Sequence, residues 1–241
     1  YFGSIVEGVE RSLIPHGYDL TLYVAEPGSR DRESLYATYL ARKRFDGIIA
    51  VALEPDDSEL ERLRSIDKPT VSIGNALEGV ATLGIDNIAI TRIMTEHLIT
   101  LGHTDIAFVG STPPADTPAR DVDERSIGYH NAMADHGLAV RVRAVPSTLT
   151  ITDAYAAAAS FLADAAARPT AIVAACDEVA IGVIIAARRL GISVPTQLSV
   201  VGIDGHDYAD MFALTTMEQY PHQQGTEAAG ILMSMIEGEG P

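Results

Sequence analysis

The sequence is short of cysteine, of positive charge and of long apolar runs, and each shortage excludes a class of protein. Cys176 is the only cysteine in 241 residues. No internal disulfide can form, and a reducing compartment is expected. Lys and Arg total 17 against 33 Asp and Glu, a formal net charge of −16. A nucleic-acid surface needs clustered cations to displace counterions. Only short groups such as Arg42-Lys43-Arg44 and Arg188-Arg189 occur, at expected helix ends where they complement the dipole. The chain as it stands is not expected to bind DNA by itself. No apolar run approaches the ~18–20 residues that span a bilayer, and no basic, apolar, small-residue leader opens the sequence. The expectation is a cytoplasmic protein with no membrane partner.

Catalytic and metal-binding patterns are equally sparse. No glycine-rich phosphate loop follows a strand, and no G-x-S-x-G elbow occurs. His97 and His103, and His130 and His136, lack the spacing of metal-ligand pairs. Asp56-Asp57 and Glu237/Glu239 sit in polar turns or ends and read as solvated acidic surface. Cys176 follows a buried apolar run, where a lone thiol packs as a small hydrophobe, and Asp177 reads as a helix cap. The expectation is a non-enzyme with no cofactor and no metal.

What the sequence does contain is alternation of strand and helix. Ile90, Ile93, Met94, Leu98 and Leu101 recur at helical spacing, with Asp86 placed to cap their helix and Gly102 to end it. The run from Asp105 to Gly110 reads as a strand buried on both faces. The loop from Ser111 to Glu124 leaves its carboxyl end, where ligands bind in doubly wound sheets.

Elsewhere, helices are predicted over 2–16 (Phe2, Ile5, Val6, Val9 and Leu13 inward), 32–44 (Leu35, Tyr39 and Leu40 inward), 57–65, 125–136, 152–167, 177–190 and 222–236. Strands are predicted at 18–25, 48–53, 69–73, 80–85, 140–145, 171–175, 198–203 and 214–217. About ten strand segments exceed a typical single sheet, so two mostly parallel sheets in two lobes are expected.

These stretches resemble the effector-binding domain of the LacI/GalR family of bacterial transcription regulators. The resemblance is carried by Y-F-G-S-I-V-E-G-V-E at the start, H-G-Y-D-L at 16–20, F-D-G-I-I at 45–49, D-N at 86–87 and E-H-L-I-T-L-G-H-T-D-I-A-F-V-G at 96–110. It continues with E-R-S-I-G-Y-H-N-A at 124–132, C-D-E-V-A-I-G at 176–182, P-T-Q-L-S-V-V-G-I-D at 195–204, L-T-T-M-E-Q at 214–219 and I-E-G-E at 236–239. The resemblance implies an α/β, periplasmic-binding-protein-like fold of type I, two doubly wound parallel-sheet lobes joined by crossover strands. Residues 1–86 and 221–241 would form the N-terminal lobe and 87–220 the C-terminal lobe. The family's DNA-binding helix-turn-helix and first strand would lie before Tyr1. It implies a repressor whose small effector, a sugar or related metabolite, binds between the lobes and controls operator binding allosterically. A homodimer is implied too, with Ile5, Val9 and the 177–190 region as candidate contacts. A periplasmic sugar-binding protein of a transport system is the alternative of the same fold.

Carried across residue by residue, Tyr1 and Phe2 match the aromatic pair lining the family's cleft; they could equally staple the first helix to the core. Arg125 matches an effector-gripping arginine, against a surface ion pair with Asp123 or Glu124. Asp204 matches the first aspartate of the family's G-F-D-D, against a helix cap, and Gln219 a polar crossover position. Arg120 lies in the loop over the cleft. Cys176 stands where the family often has asparagine, and Gly205 where it has the second aspartate.

Overall fold

The computed structural model describes residues 1–24, 29–42, 44–111 and 123–238. In chain order, the helices are α1 (Phe2–Leu13), α2 (Arg30–Ser34), α3 (Asp57–Ser65), α4 (Asn87–Thr100), α5 (Glu124–Asp135), α6 (Ile151–Leu162), α7 (Asp177–Arg189), α8 (Ala209–Phe212) and α9 (Pro221–Ile236). The strands are β1 (Ile48–Val51), β2 (Thr70–Ile73), β3 (Ala81–Leu83), β4 (Ile106–Gly110), β5 (Arg143–Pro146), β6 (Ala171–Ala174), β7 (Ser199–Asp204) and β8 (Thr215–Glu218). The chain divides into two compact units, Tyr1–Ile85 with Tyr220–Pro241, and Asp86–Gln219.

The first unit is built on a three-stranded parallel sheet in the order β1-β2-β3. Val71 and Ile73 pack against Ile5, Val9 and Leu13 of α1 and Ala228, Ala229, Leu232 and Met233 of α9. The two helices touch backbone to backbone, which is why glycine occupies Gly8 and Gly225: a Cβ on either would collide with a carbonyl of the opposite helix. A smaller cluster gathers Leu63, Ile66 and Leu77. α3 starts with a capping box, the Asp56 carboxylate accepting from Glu59 N at 2.8 Å and Glu59 Oε2 from Asp56 N at 3.1 Å. The same Glu59 takes Arg32 in a two-pronged ion pair, Nε to Oε1 at 2.7 Å and Nη2 to Oε2 at 2.6 Å.

The second unit holds a five-stranded, all-parallel sheet, β5-β4-β6-β7-β8. Alternate strand residues serve opposite faces. Ala107, Val109, Ile172, Ala174 and Val200 meet α6 and α7. Ile106, Phe108, Ala171, Val173 and Val201 meet Met94 and Leu98 of α4 and Tyr129 and Met133 of α5. With helices on both faces, β4 and β6 are apolar throughout, as buried parallel strands must be. The Tyr129 hydroxyl donates to Ile106 O at 2.9 Å and accepts from Arg143 N at 3.0 Å, so a buried ring keeps its polar end satisfied.

Several sequence expectations are corrected. Tyr18–Val24 pairs with no strand among the described residues, and Leu22 and Val24 are exposed. Alternation marks a chain that fits a pleated, half-buried surface, but the strand exists only when a neighbour completes its backbone bonds. The second helix is interrupted: after α2 the backbone winds with five-residue π turns over Leu35–Tyr39. That winding brings Tyr36 inward, and Tyr39 faces out. In α4, Thr91 and Thr95 join Met94 and Leu98 inside while Ile93 and Leu101 face out. α6 is capped by Thr150, whose hydroxyl accepts from Asp153 N at 3.3 Å, and ends at Leu162 rather than Ala167. The expected strand at 140–145 starts as a 3-10 turn over Ala139–Arg141, and pairing begins only at Arg143. Ile5 and Val9 are consumed by the core of their own unit, and α7 is buried along most of its length. Among the described residues there are eight strands rather than about ten.

Candidate functional site

The carboxyl ends of β6, β7 and β8 and the first turn of α5 bring four of the sequence candidates together in the second unit. α5 begins where Asp123 caps it, its carboxylate accepting from Arg125 N at 2.9 Å. That cap fixes Arg125 in the first turn. Its side chain does not pair with Asp123 or Glu124. Nε donates to Asn87 Oδ1 at 2.9 Å, and Nη1 donates to the carbonyl of Ala175, the residue after β6. Nη1 also lies 4.0 Å from Asp204 Oδ1, and both side chains are largely enclosed.

Asp204 is the last residue of β7 and carries φ +143. A non-glycine residue there is strained, by ~1–3 kcal/mol, and such strain persists only where neighbours impose it. Gln219, just past β8, donates from Nε2 to Asp204 Oδ1 at 2.5 Å, and its backbone N donates to Asp204 O at 3.2 Å. Asp204 does not cap a helix. Burial pushes its carboxyl up to about 6; the Arg125 charge and the Gln219 bond oppose the rise, and the Asp177 charge adds to it. The result is a carboxyl that switches between donor and acceptor close to neutral pH, beside a permanent cation and an amide.

Cys176 sits at the N-cap of α7 with no side-chain capping bond. Burial pushes its thiol up to about 12, so it is neutral and contributes shape rather than charge. Tyr1 and Phe2 belong to the first unit. Their rings meet edge to face at 5.5 Å, and the Tyr1 hydroxyl donates to Gln224 Oε1 at 3.4 Å. Tyr1 packs on the first unit's core, whereas Phe2 is 59% exposed and lies off the buried stripe of α1. Arg120 lies outside the described residues.

Three neighbours were not singled out as site residues by the sequence. Asn87 opens α4 and also donates from Nδ2 to Glu124 Oε2 at 3.1 Å, which ties the two helix starts that flank Arg125. Asp177 does not cap α7: its carboxylate accepts from Thr216 Oγ1 at 2.7 Å and from His206 N at 2.8 Å. Thr216, on β8, is the third. A cap and a cross-strand acceptor look alike until the partner strand is known.

Residues 95–241 match the family described as periplasmic binding protein-like domain. The HTH-type transcriptional repressor PurR of Vibrio campbellii is 32% identical over 242 residues, which cover 98% of this chain and 71% of the repressor. The chain belongs to the LacI/GalR family of transcription regulators, as an effector-binding domain. A LacI transcriptional regulator from a Rhodococcus species superposes with a TM-score of 0.82 at 28% identity, covering 98% of this chain and 86% of that one. A transcriptional regulator CelR–cellobiose complex superposes with a TM-score of 0.83 at 30% identity, covering all of this chain and 73% of that one. The fold is therefore the periplasmic-binding-protein-like α/β architecture, with parallel sheets in both units.

Proposed function

We propose that this chain senses a small hydroxylated effector, a sugar or related metabolite, and that binding changes the operator affinity of a DNA-binding segment joined before Tyr1. The observation that carries this reading is the enclosed Arg125–Asp204–Gln219 cluster at the carboxyl ends of the sheet. Arg125 offers a fork of donors that grips adjacent hydroxyls or a carboxylate. Asp204 and Gln219 supply acceptors and donors that read hydroxyl orientation. Cys176 closes one side with a neutral, poorly hydrogen-bonding surface. Tyr1 and Phe2 supply flat apolar faces for the C–H side of a ring. An effector that binds one arrangement of the protein more tightly than another supplies the differential affinity that would drive an allosteric change. The sugar class is supported by the cellobiose named for the CelR structure. Homodimerisation is part of the proposal, since a two-fold protein matches a two-half-site operator.

A thermal-shift screen over sugars, sugar phosphates, nucleosides and polyols tests the reading. A ligand at 100 times its Kd adds about 2.7 kcal/mol of stability. At least one compound should raise the melting temperature of the wild-type chain and fail to raise that of Arg125→Ala. Hits that stabilise both chains equally would place binding elsewhere and overturn the assignment.

A further inference from the structure

Asp177 opens α7 yet turns away from it. The residue is fully buried, and its carboxylate reaches the ends of β7 and β8. It lies over Gly202 of β7, where any Cβ would collide with Oδ1. Thr216 Oγ1 donates to Oδ1 at 2.7 Å, and His206 N donates to Oδ2 at 2.8 Å. Thr216 Oγ1 itself accepts from Gly205 N at 3.2 Å. One hydroxyl and one carboxylate thus hold two successive backbone amides, those of Gly205 and His206, directly after Asp204. Asp204 has φ +143, which is strained for a residue with a Cβ, and Gly205 has φ +71, which glycine adopts freely. Gln219 holds Asp204 from the other side through its backbone N and its amide.

We infer that Asp177 is a positioning residue of the proposed effector site: with Thr216 it pins the turn that aims Asp204 at Arg125 and Gln219. This rests on reading that cluster as the site. Asp177 does not touch the ligand; it acts through Asp204, in two ways. It fixes the backbone on which Asp204 is carried, and its negative charge disfavours a second negative charge there. Among the described residues, the titratable groups around Asp204 are Arg125 from α5, Asp177 from α7, the neutral Cys176 thiol at the start of α7 and Glu218, its register partner on β8. Burial and the Asp177 charge favour the protonated form of Asp204, while Arg125, the Gln219 bond and a bond from the Asp177 backbone favour the ionised form. Removing Asp177's charge and removing Arg125's charge must therefore move Asp204 in opposite directions, which a purely structural role for Asp177 does not require.

The test needs no effector. The side-chain carboxyl carbon of Asp204 is titrated by NMR in the wild-type chain and in Asp177→Asn and Arg125→Gln, with the signal assigned from Asp204→Asn. The wild-type midpoint should lie at about 6. It should fall toward the ordinary carboxylate range in Asp177→Asn and rise in Arg125→Gln. In parallel, amide exchange at Gly205 and His206 should quicken by roughly tenfold in Thr216→Val, which has no hydroxyl, and stay slow in Thr216→Ser, which keeps it. The Thr216 pair decides the question if Asp177→Asn does not fold. An unmoved Asp204 midpoint in Asp177→Asn, or unchanged exchange in Thr216→Val, overturns the inference. Failure of the effector reading shows separately, as unaltered ligand binding by Arg125→Ala.

Discussion

Burial of the Asp204 carboxyl should make the protein less stable near neutral pH, and replacing it with Asn should reveal by how much. In the native state the carboxyl keeps its proton up to about pH 6, whereas the unfolded chain releases it near 3.8. Between these values the native state binds more protons. Stability from this group is therefore present below the unfolded value and is lost as pH rises through about 6. The separation corresponds to roughly 3 kcal/mol above that window, and to about 1.5 kcal/mol at about pH 5. Asn is nearly isosteric, neutral throughout, and can still accept the bond from Gln219 Nε2. Asp204→Asn should therefore be more stable than wild type at about pH 7.5, by about 1.5 kcal/mol more than at about pH 5. Taking the difference between variant and wild type at each pH cancels the other carboxylates, which are common to both. Urea unfolding followed by tyrosine emission, to which the buried Tyr129 of the second unit contributes, supplies the measurement. A variant-minus-wild-type difference that is the same at both pH values would refute the burial argument. The expected gain in stability with loss of ligand reading is the exchange seen where a buried polar group serves binding.

Three further predictions concern the scaffold. Glu59→Ala removes the carboxylate from a guanidinium only 6% exposed at its side chain and opens the capping box of α3, so it should destabilise the first unit by about 3–5 kcal/mol in urea unfolding. Glu78→Ala, at an exposed pair with Arg64, should change stability by less than about 1 kcal/mol in the same assay. Gly128→Ala puts a Cβ into the carbonyl of Ile88 and 3.1 Å from Arg92 N, between α5 and α4, and should lower stability by about 1–3 kcal/mol in thermal unfolding. Because the displaced helix carries Arg125, it should weaken effector binding as well.

Much of the second unit is legible in the sequence because its signals are local. Asp86 as the cap of α4, the apolar run of β4 and the glycines at 102 and 137 each act through their own neighbourhood, and Asp86 accepts from Ala89 N at 2.8 Å as its position implies. Residues 57–65 are helical as read, because Asp56 and Glu59 satisfy the free amides reciprocally. What sequence could not reveal depends on distant partners. Tyr18–Val24 alternates like a strand but has none beside it among the described residues. Tyr36 replaces Tyr39 inside because π winding shifts the face by part of a turn. Arg125 and Asp204 are singled out by family motifs as proposed site residues, while Asn87, Asp177 and Thr216 join them only when three chain segments converge. Phe2 illustrates the reverse: its apolar spacing suggested burial, yet its ring faces out.

The most direct measurement is calorimetric titration of the screened effector into wild type, Arg125→Ala, Asp204→Ala and Arg188→Ala. Arg125 lies against Asp204 and Asn87, so losing its charge-assisted bonds, worth ~1.5–3 kcal/mol, should weaken binding roughly tenfold to a hundredfold. Asp204→Ala should weaken it comparably. Arg188, stacked 5.2 Å from the Phe212 ring and remote from the cluster in its contacts, should leave affinity unchanged on substitution. Wild-type affinity in both Arg125→Ala and Asp204→Ala would contradict the assignment of the site and the sensing function built on it.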